Sequence, residues 1–479
     1  MLKKLFCTYL LLQSLTSFSQ DIVNSVPLEL KKNTTIFQVV NNEKKDVTLF
    51  FSDKNKIKAI QLNENMKIVD SISAEKPNAK IYDNMLGYNI NTNNTRLFWS
   101  SANYEQIFSQ FYDIPNHKVV TQQYTLNLKE EQVLENFSGN GNFYILSVLK
   151  NGNQFKLHVF DKDGNYSEKI VDVNGANFLK SDNTKSDLYG VFKESLAPLE
   201  RSFSLLKIDS KNPTSLVYSA KKRKCYFNEK QITITLDTNI DFTQVFTIDL
   251  GSFTITEKTV KQRVITGDRF YLSSNSFYFE NNLYQLKTSM DQFYFSIKDL
   301  DGKTLKEYDA SSRKKIDFKN PLSSIKEKND AGDKKTLENT SQFIYKINDV
   351  YIGLSCYKLG QNNLMTFGGI STEQMTAGQA VMNNFGFVGA LIGAIAFSPS
   401  VESFNTYQNR KVNKFESLID TNGNHVEGEI QPLAFDKIGT FFEENKNVSS
   451  QTLFKIGSVY YLGYYDSKTK EYTIRKFVD

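Results

Sequence analysis

The chain carries 58 basic and 53 acidic residues over a length of 479, a net charge of +5. So small a surplus does not argue for nucleic acid, which usually calls for a concentrated basic face. Hydrophobic residues make up 40% and aromatic residues 13%, led by 37 Phe and 25 Tyr with one Trp and 8 Pro, a profile that suits many β-strands rather than a helical bundle.

Residues Met1 to Gln20, MLKKLFCTYLLLQSLTSFSQ, have the form of a secretory signal. Lys3 and Lys4 form the charged start, Leu5 to Leu12 a short apolar core, and Ser17 and Ser19 precede a cut before Gln20. Cys7 lies inside the apolar core, where lipid attachment is not expected. A soluble exported protein is expected, with a signal over 1–19 and one domain over 20–479. Cys225 and Cys356 then remain, each within an apolar strand pattern (KCYF and LSCY), and read as buried free thiols rather than a disulfide framework. His117, His158 and His425 share no metal-ligand spacing, so neither a zinc site nor a His-based triad is expected.

The clearest structural unit runs from Gly141 to Val173, GNFYILSVLKNGNQFKLHVFDKDGNYSEKIVDV. A strand leads into a turn at Asn151-Gly152. Phe155, Leu157 and Val159 then alternate with polar residues, as in a strand with one buried face, and Asp161-Lys-Asp-Gly164 turns the chain again. Related pairs of a short apolar strand, a polar turn and a longer apolar strand begin at Ile36, Cys225, Phe277, Phe343 and Leu453. Whole units start near residues 34, 79, 132, 176, 222, 270 and 341, most of them about 45 residues apart. Asp161, Asp299 and Asp420 each open an Asp-rich turn ending in Gly, similar to the start of a calcium loop. No bidentate acid follows at the required distance, so hairpin turns are expected.

The last unit, Thr452 to Asp479, offers three strands, and Ile22 to Leu30 supplies a candidate fourth. Pairing of the two chain ends in one sheet would remove an exposed edge. In these repeats the chain resembles the β-propeller superfamily over nearly its whole length after residue 20. The resemblance is one of architecture, since no Trp-Asp, kelch or Asp-box signature is present. It implies an all-β ring of eight blades, or seven if one weak unit such as 79–123 is misread.

Two insertions interrupt the pattern. Residues 310–340 are charged and read as a solvated or partly disordered loop. Residues 360–405 contain LMTFGGISTEQMTAGQAVMNNFGFVGALIGAIAFSPS, the one long pattern that is not strand-like. Residues 385–397 lack charge, and Gly389 and Gly393 form a GxxxG pair. A helix there is too short for a bilayer. It reads as a lid on the ring, a partner-docking helix, or a shallow membrane-surface contact. The partner-binding expectation falls on Phe385, Phe387, Val388, Gly389, Leu391, Ile392, Gly393, Ile395 and Phe397.

Lys221, Lys222, Arg223 and Lys224 form the densest basic run, expected as a solvated turn or, alternatively, an anion site. For glycoside chemistry a pair of carboxylates is required, and Glu194, Asp237 and Asp241 are candidates that spacing alone does not single out. The single Trp99 offers little sugar-stacking platform. No phosphate loop, nucleophile elbow or HExxH motif occurs, and no cofactor is implied. The resulting expectation is a non-catalytic binding or scaffold protein of a bacterial envelope. It would sit in the periplasm or at the outer-membrane surface and dock on a protein partner through 360–405. The alternative is a glycan-binding or glycan-cleaving protein with a polar axial pocket.

Overall fold

A computed structural model describes residues 21–30, 34–91, 94–265, 271–320, 326–328, 334–336, 339–348, 350–371, 399–407 and 413–479. Two compact units are distinguished, one built from Met1–Lys76, Gly386–Val401 and Gln431–Asp479, the other from Pro77–Phe385 and Glu402–Ile430. Both are all-β in character, made of small antiparallel sheets with few helices.

The first unit holds two four-stranded sheets. One runs in chain order through Thr35–Asn41, Asp46–Ser52, Lys56–Leu62 and Ile68–Glu75. The other joins the chain ends: Ile22–Pro27 lies antiparallel on Glu471–Phe477, followed by Val459–Asp466 and Val448–Ile456. The expected terminal pairing is therefore present, with Pro27 opposite Glu471 and Ile22 opposite Arg475. The Ala434–Glu444 helix buries Phe435, Ile438 and Phe441. It also binds the C-terminus, through Ala434 N to Asp479 Oδ1 at 2.8 Å and Lys437 Nζ to Val478 O at 2.7 Å.

The second unit holds three four-stranded sheets spanning 84–125, 131–172 and 273–311, a five-stranded sheet spanning 206–261, and a three-stranded sheet. In the sheet spanning 131–172 both faces of the central strands are covered. Phe143, Ile145 and Phe160 pack with Leu86, Phe98 and Ile107, while Phe155, Leu157 and Val159 pack with Phe192, Ile232 and Phe246. The single buried face expected for Phe155–Val159 is thus a correction. Its polar partners Lys156 and His158 are buried as well, because another sheet layer rather than water covers that side. Outermost strands such as Tyr166–Asp172 and Lys118–Thr125 are exposed along most of their length.

Four further expectations are corrected. The unit expected from residue 176 is not a four-stranded sheet: Phe178–Leu179 pairs with Lys185–Ser186, and the Leu188–Lys193 and Leu216–Ser219 helices follow. Seven sheets of three or more strands therefore stand among the described residues, where eight, or alternatively seven, were expected. The strand expected at Phe343 is a helix, Thr340–Asn348, which buries Phe343, Ile344 and Ile347 and is started by Asn339 Oδ1 accepting from Gln342 N.

Residues 310–340 are not a wholly solvated loop. Ile316 and Phe318 lie in the core, and Lys326–Lys328 pairs with Lys334–Thr336. Asn320 is buried beside the three-stranded sheet and takes the place of a fourth strand. Its Oδ1 accepts from Leu418 N at 2.7 Å and its Nδ2 donates to Val426 O and Gly428 O, both at 2.9 Å. Finally, the 360–405 insertion is narrower than expected. Asn362–Ile370 is the middle strand of the three-stranded sheet, between Tyr351–Leu359 and Asn413–Ile419, and Pro399–Tyr407 is a helix.

Candidate functional site

Four elements of the second unit bring polar side chains together. On Glu131–Gly139 the pairing with Asn142–Leu149 shifts between Val133 and Glu135. A bulge of this kind re-aims the side chain that follows it. Lys207 comes from the short Leu206–Ile208 strand, which lies parallel to Arg223–Phe227. Its Nζ donates to Asn136 O at 3.2 Å and stands 3.8 Å from Glu135 Oε1. Tyr218 sits on the Leu216–Ser219 helix, capped by Ser215, and donates its hydroxyl to Glu402 Oε1 at 2.8 Å. Glu402 lies on the Pro399–Tyr407 helix.

Burial pushes the Glu135 carboxyl up; Lys207 and the Asn136 N–H oppose this, and the charge of Glu402 adds to it. Burial, Glu402 and Glu135 all push the Tyr218 phenol up, so it stays a hydrogen-bond donor. The Tyr104 hydroxyl, near Asn136, is raised by burial and by Glu135. The cluster therefore presents a carboxyl that resists ionisation, a second carboxylate, an ammonium and phenolic groups. Such a set can hold a polar ligand through both donors and acceptors.

A second network fills the covered polar face of the sheet spanning 131–172. Glu131 Oε2 lies 3.0 Å from His158 Nε2 and accepts from Ser147 Oγ, while Glu131 Oε1 accepts from Lys156 Nζ at 3.1 Å. Tyr166 Oη is 2.9 Å from His158 Nδ1 and 2.7 Å from Glu168 Oε1, and Lys156 also reaches Glu168 at 2.8 Å. His158 is thus built into a polar circuit, which its isolation in the sequence concealed.

The basic run is turned inward. Lys224 Nζ meets Asp237 Oδ2 at 2.9 Å and Asn275 Oδ1 at 2.8 Å, with both charged side chains buried. Arg223 donates to Val191 O at 2.9 Å and Glu194 O at 2.7 Å and lies 3.6 Å from Glu200. Lys221 and Lys222 donate to Leu199 O and Ser274 O. Burial, with Lys224 adding to it against Asp237 and Glu200, takes the Lys222 ammonium down to about 8. The solvated turn expected here is corrected: the charges find partners inside the protein, so the run presents no open anion cradle.

The carboxylate candidates do not converge. Glu194 accepts from Ser181, Asp237 pairs with Lys224, and Asp241 is half-exposed, 3.5 Å from Lys287. Trp99 is buried beside Phe108. Cys225 and Cys356 are buried free thiols. The Asp161, Asp299 and Asp420 turns close on themselves, as in Asp161 Oδ1 accepting from Asn165 N at 2.8 Å, with Gly164, Gly302 and Gly423 at positive φ. Phe385, Phe387, Val388, Gly389, Leu391, Ile392, Gly393, Ile395 and Phe397 lie outside the described residues. Among the described residues no helix is long and apolar enough to cross a membrane.

Sequence spacing gave no sign of Glu135 or Glu402, which come from distant parts of the chain. One local signal existed: in EQVLENF the adjacent apolar pair Val133-Leu134 breaks strict alternation just before Glu135.

No family model and no curated protein matches the chain. Among solved structures, a prolyl endopeptidase is similar at 8% identity over 93% of this chain and 50% of its own, with a TM-score of 0.34. An uncharacterized protein of Listeria monocytogenes EGD-e is similar at 10% identity over 93% of this chain and 96% of its own, with a TM-score of 0.29. An apocarotenoid oxygenase of Synechocystis is similar at 8% identity over 58% of this chain and 64% of its own, with a TM-score of 0.27. The chain thus spans less than two thirds of the length of that oxygenase. At these TM-scores the likenesses assign no fold family.

Proposed function

We propose that the protein is an exported binding protein of a bacterial envelope that docks on a protein partner through residues 385–397. The observation that carries this reading is the way the inserted segment is held at both ends. Before it, Ile370 is buried in a cluster with Leu216, Val217 and Ala220. After it, Glu402 is hydrogen-bonded to Tyr218 of the same Leu216–Ser219 helix. Ile370 and Glu402, on either side of residues 372–398, thus both contact the Leu216–Ser219 helix, which suits a segment presented to a partner. Export to the periplasm or outer-membrane surface is proposed on the pattern of Met1 to Gln20. The seven sheets are read as seven blades of a propeller, with both chain ends in one blade. The four-stranded repeats and the terminal pairing support that reading.

The test replaces residues 372–398 by a short Gly/Ser linker and leaves the Asn362–Ile370 strand and Glu402 in place. Affinity purification from cross-linked envelopes then compares the wild type, this variant and a Gly389→Leu, Gly393→Leu variant. A partner lost from both variants, with circular dichroism and melting temperature unchanged, supports docking. Recovery of every wild-type partner by the linker variant refutes it.

A further inference from the structure

We infer that Glu135, Lys207, Tyr218, Glu402 and Asn405 line a binding site for a neutral, hydroxyl-rich ligand, a sugar unit. The inference is independent of docking through 372–398 and uses none of those residues. It begins with Asn405, which is 2% exposed yet has no hydrogen-bond partner for either its amide oxygen or its amide nitrogen. Asn405 follows Glu402 by one helical turn on Pro399–Tyr407, so both side chains share a face. The Tyr218–Glu402 hydrogen bond, at 2.8 Å, turns that face toward the cluster.

Buried polar groups are normally satisfied. Both amide atoms of Asn405, left open one turn from the Tyr218–Glu402 hydrogen bond, mark a place where another molecule supplies the missing bonds.

The chemistry selects the ligand. An anion would face Glu135 and Glu402. A cation would face the Lys207 ammonium, 3.8 Å from Glu135. A hydroxyl group both donates and accepts. Adjacent hydroxyls on a sugar therefore match a carboxylate acceptor, an amide offering both donors and an acceptor, and a phenolic ring edge together. Burial supports a neutral occupant, because it already holds the Glu135 carboxyl up.

Saturation-transfer NMR on the full chain tests this, with glucose, mannose, N-acetylglucosamine and cellobiose as probes and spermidine and inorganic phosphate as charged comparators. The expected result is binding of at least one neutral saccharide, weakened about tenfold or more by Glu402→Gln and by Asn405→Leu. The 372–398 linker variant retains this binding, which separates the inference from the docking reading. Glu402→Gln is nearly isosteric and carries the test alone if Asn405→Leu does not fold. No saccharide binding at millimolar concentration means the open groups are met by water only and overturns the inference. Binding of spermidine or phosphate in place of a sugar overturns it, as does sugar binding unchanged in Glu402→Gln.

Discussion

His158 Nε2 lies 3.0 Å from Glu131 Oε2, with both side chains buried inside a single four-stranded sheet. Proton counting shows how this contact joins the rest of the circuit. Tyr166 has one hydroxyl proton and two neighbours, Glu168 Oε1 at 2.7 Å and His158 Nδ1 at 2.9 Å. A carboxylate only accepts, so the Tyr166 proton goes to Glu168. Lys156 closes the circuit between Glu131 and Glu168.

Glu131 and Glu168 share this circuit but differ in exposure, at 2% and 41% of the side chain. Removing the buried partner takes the carboxylate from His158 Nε2 and leaves Lys156 only the half-exposed Glu168, which costs about 3–5 kcal/mol. Removing the exposed one costs about 0–1 kcal/mol. Urea unfolding of Glu131→Ala and Glu168→Ala should show that order. Equal losses would mean that the buried circuit does not hold the sheet.

The same carboxylates predict a sensitivity to acid. At Glu131 burial raises the carboxyl, but hydrogen bonds from His158, Ser147 and Lys156 outweigh it and leave it below its ordinary 4.5. At Glu168 the bonds from Lys156 and Tyr166 lead in the same direction. The unfolded chain then binds more protons between the two values, so their stabilisation is complete above pH 4.5 and lost as pH falls through the depressed values. Glu135 and Asp46 are shifted upward and act in the opposite sense, so the comparison with Glu131→Gln isolates the circuit. The melting temperature of the wild type should fall more steeply than that of the variant from about pH 6 to about pH 3. Parallel curves would contradict the assignment.

Much of the fold was legible where the signal was local. The Asp161 and Asp420 turns, the paired strands around them and the terminal strand Ile22–Pro27 follow from alternation and turn chemistry. The Thr340–Asn348 helix was not, because SQFIYKIN fits two periods: Phe343, Tyr345 and Ile347 alternate, while Phe343, Ile344 and Ile347 share a helical face. Burial of Ile344 with Tyr345 exposed decides it. Lys224 looked solvated because nothing nearby in sequence reveals Asn275 across the sheet layers. Glu135, Tyr218 and Glu402 meet only through the tertiary fold.

The terminal strand gives a test that is independent of function. Deleting residues 21–30 removes the pairing of Ile22–Pro27 with Glu471–Phe477 and the packing of Val23, Leu28 and Leu30. Each ladder hydrogen bond contributes about 1 kcal/mol, and the bared edge invites pairing between copies. The deletion variant should melt lower and self-associate with rising concentration. An unchanged melting temperature in a monomeric variant would show that the strand contributes nothing.

Photo-cross-linking in intact envelopes addresses the docking proposal most directly. A photoreactive residue is placed at Leu391 or, as a comparator, at Lys54, an exposed position in a turn of the first unit. The account predicts one discrete protein adduct from position 391 that is absent from position 54 and disappears when Gly389 and Gly393 are both replaced by Leu. The same adducts from both positions, or none from 391, would contradict it.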